Sequence, residues 1–401
     1  MRSIAVNLLL TCGCVLSLAT PRTAFAARPA FAYVNNSPAQ GLGTVVAYRV
    51  NGIGQSTSIP GSPYSTGGLG MAQAVGSEFA HRIEVSKSRN LLFASNDGSG
   101  SISVFRIDPE RGSLTSVVGS PFAIPNWNAF PGISLAVSSD GRFLYASGST
   151  LVSCFIDDQG ALWPIGSQWQ LAQRVGGMAV APDNTRLYAT VPNGVIVLAT
   201  GEGGLTTDTP DFLSVGSSAS DLRLDAQGQR LWVGTKNGGI LAYTLSAAGN
   251  SIVPDSPFLS AISNLSGLIV DPSARFLVAY SPIEQRLLGA KINPNGSLIL
   301  RSGPINPPLA PTGAALSPDG SMLLLTDAQA RFDAWLTQDD GSLTHLDGYP
   351  ISTGAVPGLT TVATFPDKSP TPAPASPAWW TLACATALAL IGGRRAQLAR
   401  G

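Results

Sequence analysis

Short apolar runs alternate with turn-forming clusters along most of this chain. Near residue 81 the runs RIEVS (82–86), LLFAS (91–95), ISVFRI (102–107) and LTSVVG (114–119) predict four strands, the last entered through the turn DPERGS. The same cadence then returns. Its second-strand turn begins at Ser86, Ser138, Ala181, Asp225, Asp271 and Ser317, at spacings of 52, 43, 44, 46 and 46 residues. A period in the forties with four strands per unit predicts a β-propeller. Third strands recur as LVSCFI, VIVLA, ILAYTL, LLGAKI and RFDAWL, and GSPY, GSPF or DSPF closes the fourth strand at residues 61, 119 and 255. Proline is expected to end the strand at those points.

The ends of the array predict how the ring closes. FAYVNN (31–36), TVVAYRV (44–50) and STSIPGSPY read as second, third and fourth strands without a first, while PGLTTVATF (357–365) reads as a lone first strand. Together they form one composite blade and remove the free sheet edge. Six complete units and this composite predict an all-β, seven-bladed propeller over residues 27–366.

Composition narrows the setting. Hydrophobic residues make up 44% and charged residues 12%, with 24 basic against 24 acidic side chains, so no single-sign field draws the chain to nucleic acid. Residues 1–26 read as a signal peptide: Arg2, an apolar stretch from Ile4 to Ala19, and the small-x-small site Ala24-Phe25-Ala26. Export to the periplasm, outer surface or medium is expected. Cys12 and Cys14 fall in that leader and Cys384 in the tail, which leaves Cys154 alone in the propeller and excludes an internal disulfide or a cysteine metal site there. A Pro-rich linker follows at 367–377, and residues 378–401 carry WWTLACATALALIGG and then Arg394-Arg395, a pattern of membrane contact.

The cadence PDGrfLYvan, IsvfrId, gsLt, GSPF resembles the seven-bladed propeller family that includes bacterial 6-phosphogluconolactonase-like proteins and many secreted surface propellers. The resemblance implies the fold and leaves function open between enzymes and non-enzymes. The order of spacer, short apolar segment and terminal arginines resembles the C-terminal sorting tails handled by exosortase-type systems. In PAPAS (372–376), Ala373 stands where that family has Glu. A plain C-terminal membrane anchor is the alternative.

Motifs of nucleophile elbow, zincin, Walker A or C-x-x-C type are absent, and His81 and His345 are the only histidines, so neither a cofactor nor a metal is expected. NDGSGS (96–101) and QDDG (338–341) read as ordinary turns. Aligned first strands place Arg82 beside Ser134, Gly177, Asp221, Gly267 and Gly313, and Glu84 beside Ala136, Ala179, Arg223, Ile269 and Ala315. Charge therefore enters these columns only in blades two and five. Family resemblance adds a histidine facing the channel at the start of that strand, here His81. His81, Arg82, Glu84, Asp221 and Arg223 are candidate catalytic residues at a channel mouth, with His81 as general base toward a lactone. The competing reading is mutual neutralisation of these charges in a narrow channel. Trp127 with Asn128, and Trp169 in the next inter-blade loop, are candidate stacking platforms for a sugar or a protein; the alternative is that they fold back over blade ends.

These readings favour a monomeric binding or scaffold propeller of the bacterial envelope, with a carbohydrate or envelope protein as partner. The alternative is a lactonase-like hydrolase using His81.

Overall fold

The structure, a computed structural model, describes residues 28–368 apart from 72–80, 126–131, 148–149, 171–174, 202, 206–209, 238, 247–251 and 260. The leader, most of the linker and the tail lie outside the described residues, as do Trp127 and Asn128.

Each repeat begins with a turn whose chemistry is local. In blade three the Ser138 hydroxyl donates to Asp140 Oδ1 (2.6 Å) and accepts from the Phe143 amide (2.9 Å), while Gly141 supplies the positive φ of 73°. Blade seven repeats the device with Ser317, Asp319 and Met322, and blade four uses Asn184 at φ 58° in place of glycine. These turns return the chain antiparallel and set the register of the strands that follow.

The described residues form seven antiparallel sheets of four or five strands; six take their strands in chain order, and the seventh sets the last strand of the chain beside the first. The innermost strands are Ile83–Ser86, Ser134–Val137, Met178–Val180, Ala219–Leu224, Gly267–Val270, Pro311–Leu316 and Gly358–Pro366. Each packs beside the next, so together they line a central bore. The molecule is a seven-bladed β-propeller. Gly358–Pro366 pairs with Ala30–Pro38 through nine partners, from Ala30↔Pro366 to Pro38↔Gly358, which makes the composite blade and closes the ring.

Seven apolar clusters fill the seven gaps between neighbouring blades. One joins Phe93 and Val104 of blade two to Leu144 and Val152 of blade three, and another joins Phe31 and Phe365 of the composite blade to Leu92 and Phe105 of blade two. Sandwiching a sheet between two others buries both of its faces, so the second strands Leu91–Asn96 and Phe143–Ser147 are buried at every position instead of alternating.

One expectation about strand ends is corrected. Proline splits the outer strand without ending it: Ser62 and Ser120 accept third-strand amides (Ala47 N and Val104 N, each 2.9 Å), and pairing resumes in Tyr64–Leu69 and Phe122–Ala123. At the third such site the strand Ile252–Leu259 runs through Pro257 with a register shift.

Candidate functional site

His81 lies just before the inner strand of blade two, and Asp221 and Arg223 lie on the inner strand of blade five. Those blades are not neighbours in a ring of seven, so contact between them crosses the bore. His81 Nε2 stands 2.7 Å from Asp221 Oδ1, and the two residues are 4% and 0% exposed. Arg223 Nη1 donates to the same Oδ1 at 3.1 Å and to the carbonyl of Leu222 at 2.9 Å, and it touches His81 Nε2. Glu84 faces the other ring nitrogen, with Oε1 3.4 Å from His81 Nδ1.

Asp221 is the hub. Its Oδ1 also accepts from the Leu222 amide and its Oδ2 from the Leu268 amide of blade six, both at 2.7 Å. Blade three is tied in by the Leu135 amide, which donates to the carbonyl of His81 at 2.8 Å. Space for the carboxylate comes from blade four, where a Cβ on Gly177 would stand 2.2 Å from Asp221 Oδ1. Blade six makes similar room, since the Tyr280 ring lies over Gly267 where a Cβ would sit.

Protonation follows from this packing. Burial and Arg223 both push His81 down, but the hydrogen-bonded Asp221 carboxylate, helped by Glu84, outweighs them and holds it above the ordinary histidine value. Burial pushes Asp221 up, and Arg223, His81 and the Leu268 amide together bring it below the usual carboxylate range. Burial, with Asp221 nearby, keeps the Tyr280 phenol un-ionised. The cluster is therefore a closed set of charged groups whose carboxylates favour the protonated ring.

Arg82 does not join it. Its guanidinium is buried and pairs with Asp97 (Nη1–Oδ2, 2.9 Å), while Asp97 Oδ1 accepts the Ile133 amide of blade three at 2.6 Å. The Arg82 carbonyl accepts from Ser95 N and from Asn35 Nδ2, so the residue fastens blades one, two and three instead of lining the mouth. Asp97, read from the sequence as turn chemistry, is its counter-ion; the signal was the need of any inward arginine for a buried carboxylate.

Trp169 is also corrected. It lies within the strand Leu162–Gln170 opposite Leu151 and packs, half-buried, against the core between blades three and four, so it covers a blade end. A second dyad escaped sequence reading. Buried Asp333 accepts from His345 Nε2 (2.8 Å), Trp335 Nε1 (2.9 Å) and its neighbour's amide, Ala334 N (3.0 Å), between the outer strands of blade seven. An aspartate inside the apolar run RFDAWL was its signal. A cleft of about 340 Å³ opens between blades four and five, lined by Asp183, Arg186, Tyr188, Gln229 and Thr244, at turns on the face opposite His81.

The bore cluster can orient an imidazole and neutralise charge. Both His81 ring nitrogens are engaged inside the cluster, Nε2 by Asp221 and Arg223 and Nδ1 by Glu84, so neither stands open to a substrate proton.

The sequence matches no protein-family profile and no curated protein. Solved structures match it in fold. A protein from Bacteroides fragilis assigned as a 6-phosphogluconolactonase superposes with a TM-score of 0.67 at 14% identity, over 86% of this chain and 99% of that one. The periplasmic gluconolactonase of Pseudomonas aeruginosa gives 0.61 at 16% identity, over 83% and 99%. A protein from Lactobacillus plantarum gives 0.61 at 14%, over 84% and 99%. The chain is thus a seven-bladed propeller structurally similar to 6-phosphogluconolactonase-like proteins.

Proposed function

We propose that this protein is an exported propeller serving as a binding or scaffold module of the bacterial envelope, without catalysis of its own. The observation that carries the reading is the self-satisfied cluster in the bore: His81, Glu84, Asp221 and Arg223 answer one another's charges and hydrogen bonds. A general base needs a ring nitrogen open to its substrate, and both nitrogens of His81 are already engaged within the cluster. Binding then falls to the outer faces, including the loop that carries Trp127 and Asn128, with a carbohydrate or an envelope protein as partner and the tail as the membrane contact.

A lactonase-like hydrolase is the second reading. It is favoured by the 2.7 Å His81–Asp221 contact, a carboxylate orienting an imidazole, and by the similarity in fold to the Pseudomonas gluconolactonase.

One comparison separates the two. Wild type and a folded His81→Ala variant are assayed with gluconolactone and its 6-phosphate; the module reading expects neither to exceed spontaneous hydrolysis. Turnover by wild type that is lost in the variant would establish the hydrolase. Deleting residues 367–401 is expected to release the protein to the medium, and unchanged retention would remove the tail from the proposal.

A further inference from the structure

We infer that His81 is a proton-operated bolt across the bore: protonated, it ties blade two to blade five; deprotonated, it releases Glu84 and loosens that tie. Such a bolt goes beyond the proposed binding role and does not depend on it. A neutral imidazole carries one N–H, whereas the imidazolium carries two. Here both ring nitrogens face carboxylate oxygens, Asp221 Oδ1 at 2.7 Å and Glu84 Oε1 at 3.4 Å. Only the protonated ring offers a donor to each. Loss of the proton leaves a lone pair on one nitrogen: on Nε2 it would trade the Asp221 contact for Arg223 Nη1, which already touches that atom, and on Nδ1 it would face Glu84, the partner able to leave, since its side chain is 30% exposed while Asp221 is fully buried.

Charge gives the same answer. Asp221 and Glu84 balance His81 and Arg223 only while the ring holds its proton; without it these four groups carry one net negative charge at the bore. Lys87 is the one further cation beside the set: it interacts with Glu84, and burial pushes it below the ordinary lysine value, which weakens its hold on a charge. Arg82 is taken by Asp97, blade six contributes an un-ionised Tyr280, and blades three and four bring Ser134 and Gly177 to the same columns.

The two histidines of the chain make the test direct. In the full-length protein, histidine ring resonances are followed by NMR from pH 5 to 9 and assigned with His345→Gln. His81 is expected to titrate above 6.5, and Glu84→Gln, at a partly exposed site that tolerates the change, is expected to lower its midpoint. Amide exchange at Leu222 and Leu268, the donors to Asp221, is expected to speed up across the same pH interval in wild type, beyond the ordinary pH dependence, and not in His81→Gln. A His81 midpoint at or below 6.5, or one that Glu84→Gln leaves unchanged, would overturn the inference. So would amide exchange whose pH dependence is the same in wild type and His81→Gln.

Discussion

Replacing Asp221 by asparagine removes one charge and almost no volume, so its effect isolates the electrostatics of the hub. The carboxylate accepts the Leu222 and Leu268 amides, His81 and Arg223. An asparagine keeps one acceptor oxygen. Whichever way the amide turns, at least one buried backbone N–H then meets an NH₂ group, a loss of about 1–3 kcal/mol. Removing one member of a buried ion pair costs about 3–5 kcal/mol when the other charge is trapped. Here the loss is smaller, because Arg223 is 23% exposed and His81 can shed its proton. We expect about 3 kcal/mol in all, read as a lower urea midpoint at unchanged slope at pH 7. Asp183→Asn, in an exposed turn, serves as the control and should stay within about 0.5 kcal/mol of wild type. The pH dependence has a defined sign. His81, raised in the folded state, contributes fully below about 6.5 and loses its contribution as pH climbs through the higher folded value; Asp221, lowered, contributes above about 3.9 and loses its share as pH falls through its folded value. The gap between wild type and variant should therefore be widest in the mildly acidic range and narrow on the alkaline side. A gap under about 1 kcal/mol at every pH would refute the hub.

Gly177→Ala should cost about 1–3 kcal/mol, because its Cβ would press on Asp221 Oδ1; Gly203→Ala, with nothing within 4 Å, should be silent in the same thermal melt. Burial pushes the Cys154 thiol up to about 12, so alkylation followed by peptide mapping should leave Cys154 unmodified in the native protein at pH 8 and label it in urea. Labelling in native buffer would contradict that packing. Deleting residues 358–366 removes nine cross-strand partners and the fully buried Phe365, whose truncation alone is worth about 3–5 kcal/mol. Cooperative unfolding should disappear, and a melt like that of wild type would show that the ring does not depend on its closing strand.

Much of the architecture was legible because a propeller writes itself repeatedly. Turns such as Ser138-Ser139-Asp140-Gly141 carry their own hydrogen bonds, so they mark each blade without tertiary help. The composite blade was legible for the same reason: a second strand without a first, and a first strand without a second, complete each other. Side-chain fates were harder to read. Arg82 and Asp221 occupy the same column, yet one is turned into the blade by Asp97 and the other meets His81 across the bore. That choice depends on which counter-ion stands within reach in three dimensions, and nothing in the periodicity of one strand records it. Trp169 was misplaced because the outer strand Leu162–Gln170 runs longer than its neighbours and draws the indole into the blade interface.

The closing strand also gives the molecule a direction. Ala30 and Pro366 are register partners, and both ends are pinned on one side of the ring: the Arg28 amide to Asp319 (2.8 Å), Asp367 to Arg49 near the end of its strand (2.9 Å) and the Lys368 amide to the carbonyl of Pro109 (3.0 Å). His81 sits at the start of its inner strand, and the inner strand of the composite blade ends at Pro366, so the two mark opposite sides. The described chain therefore leaves the ring, at Lys368, on the side opposite the His81 mouth, so anything bound at that exit would leave the mouth uncovered.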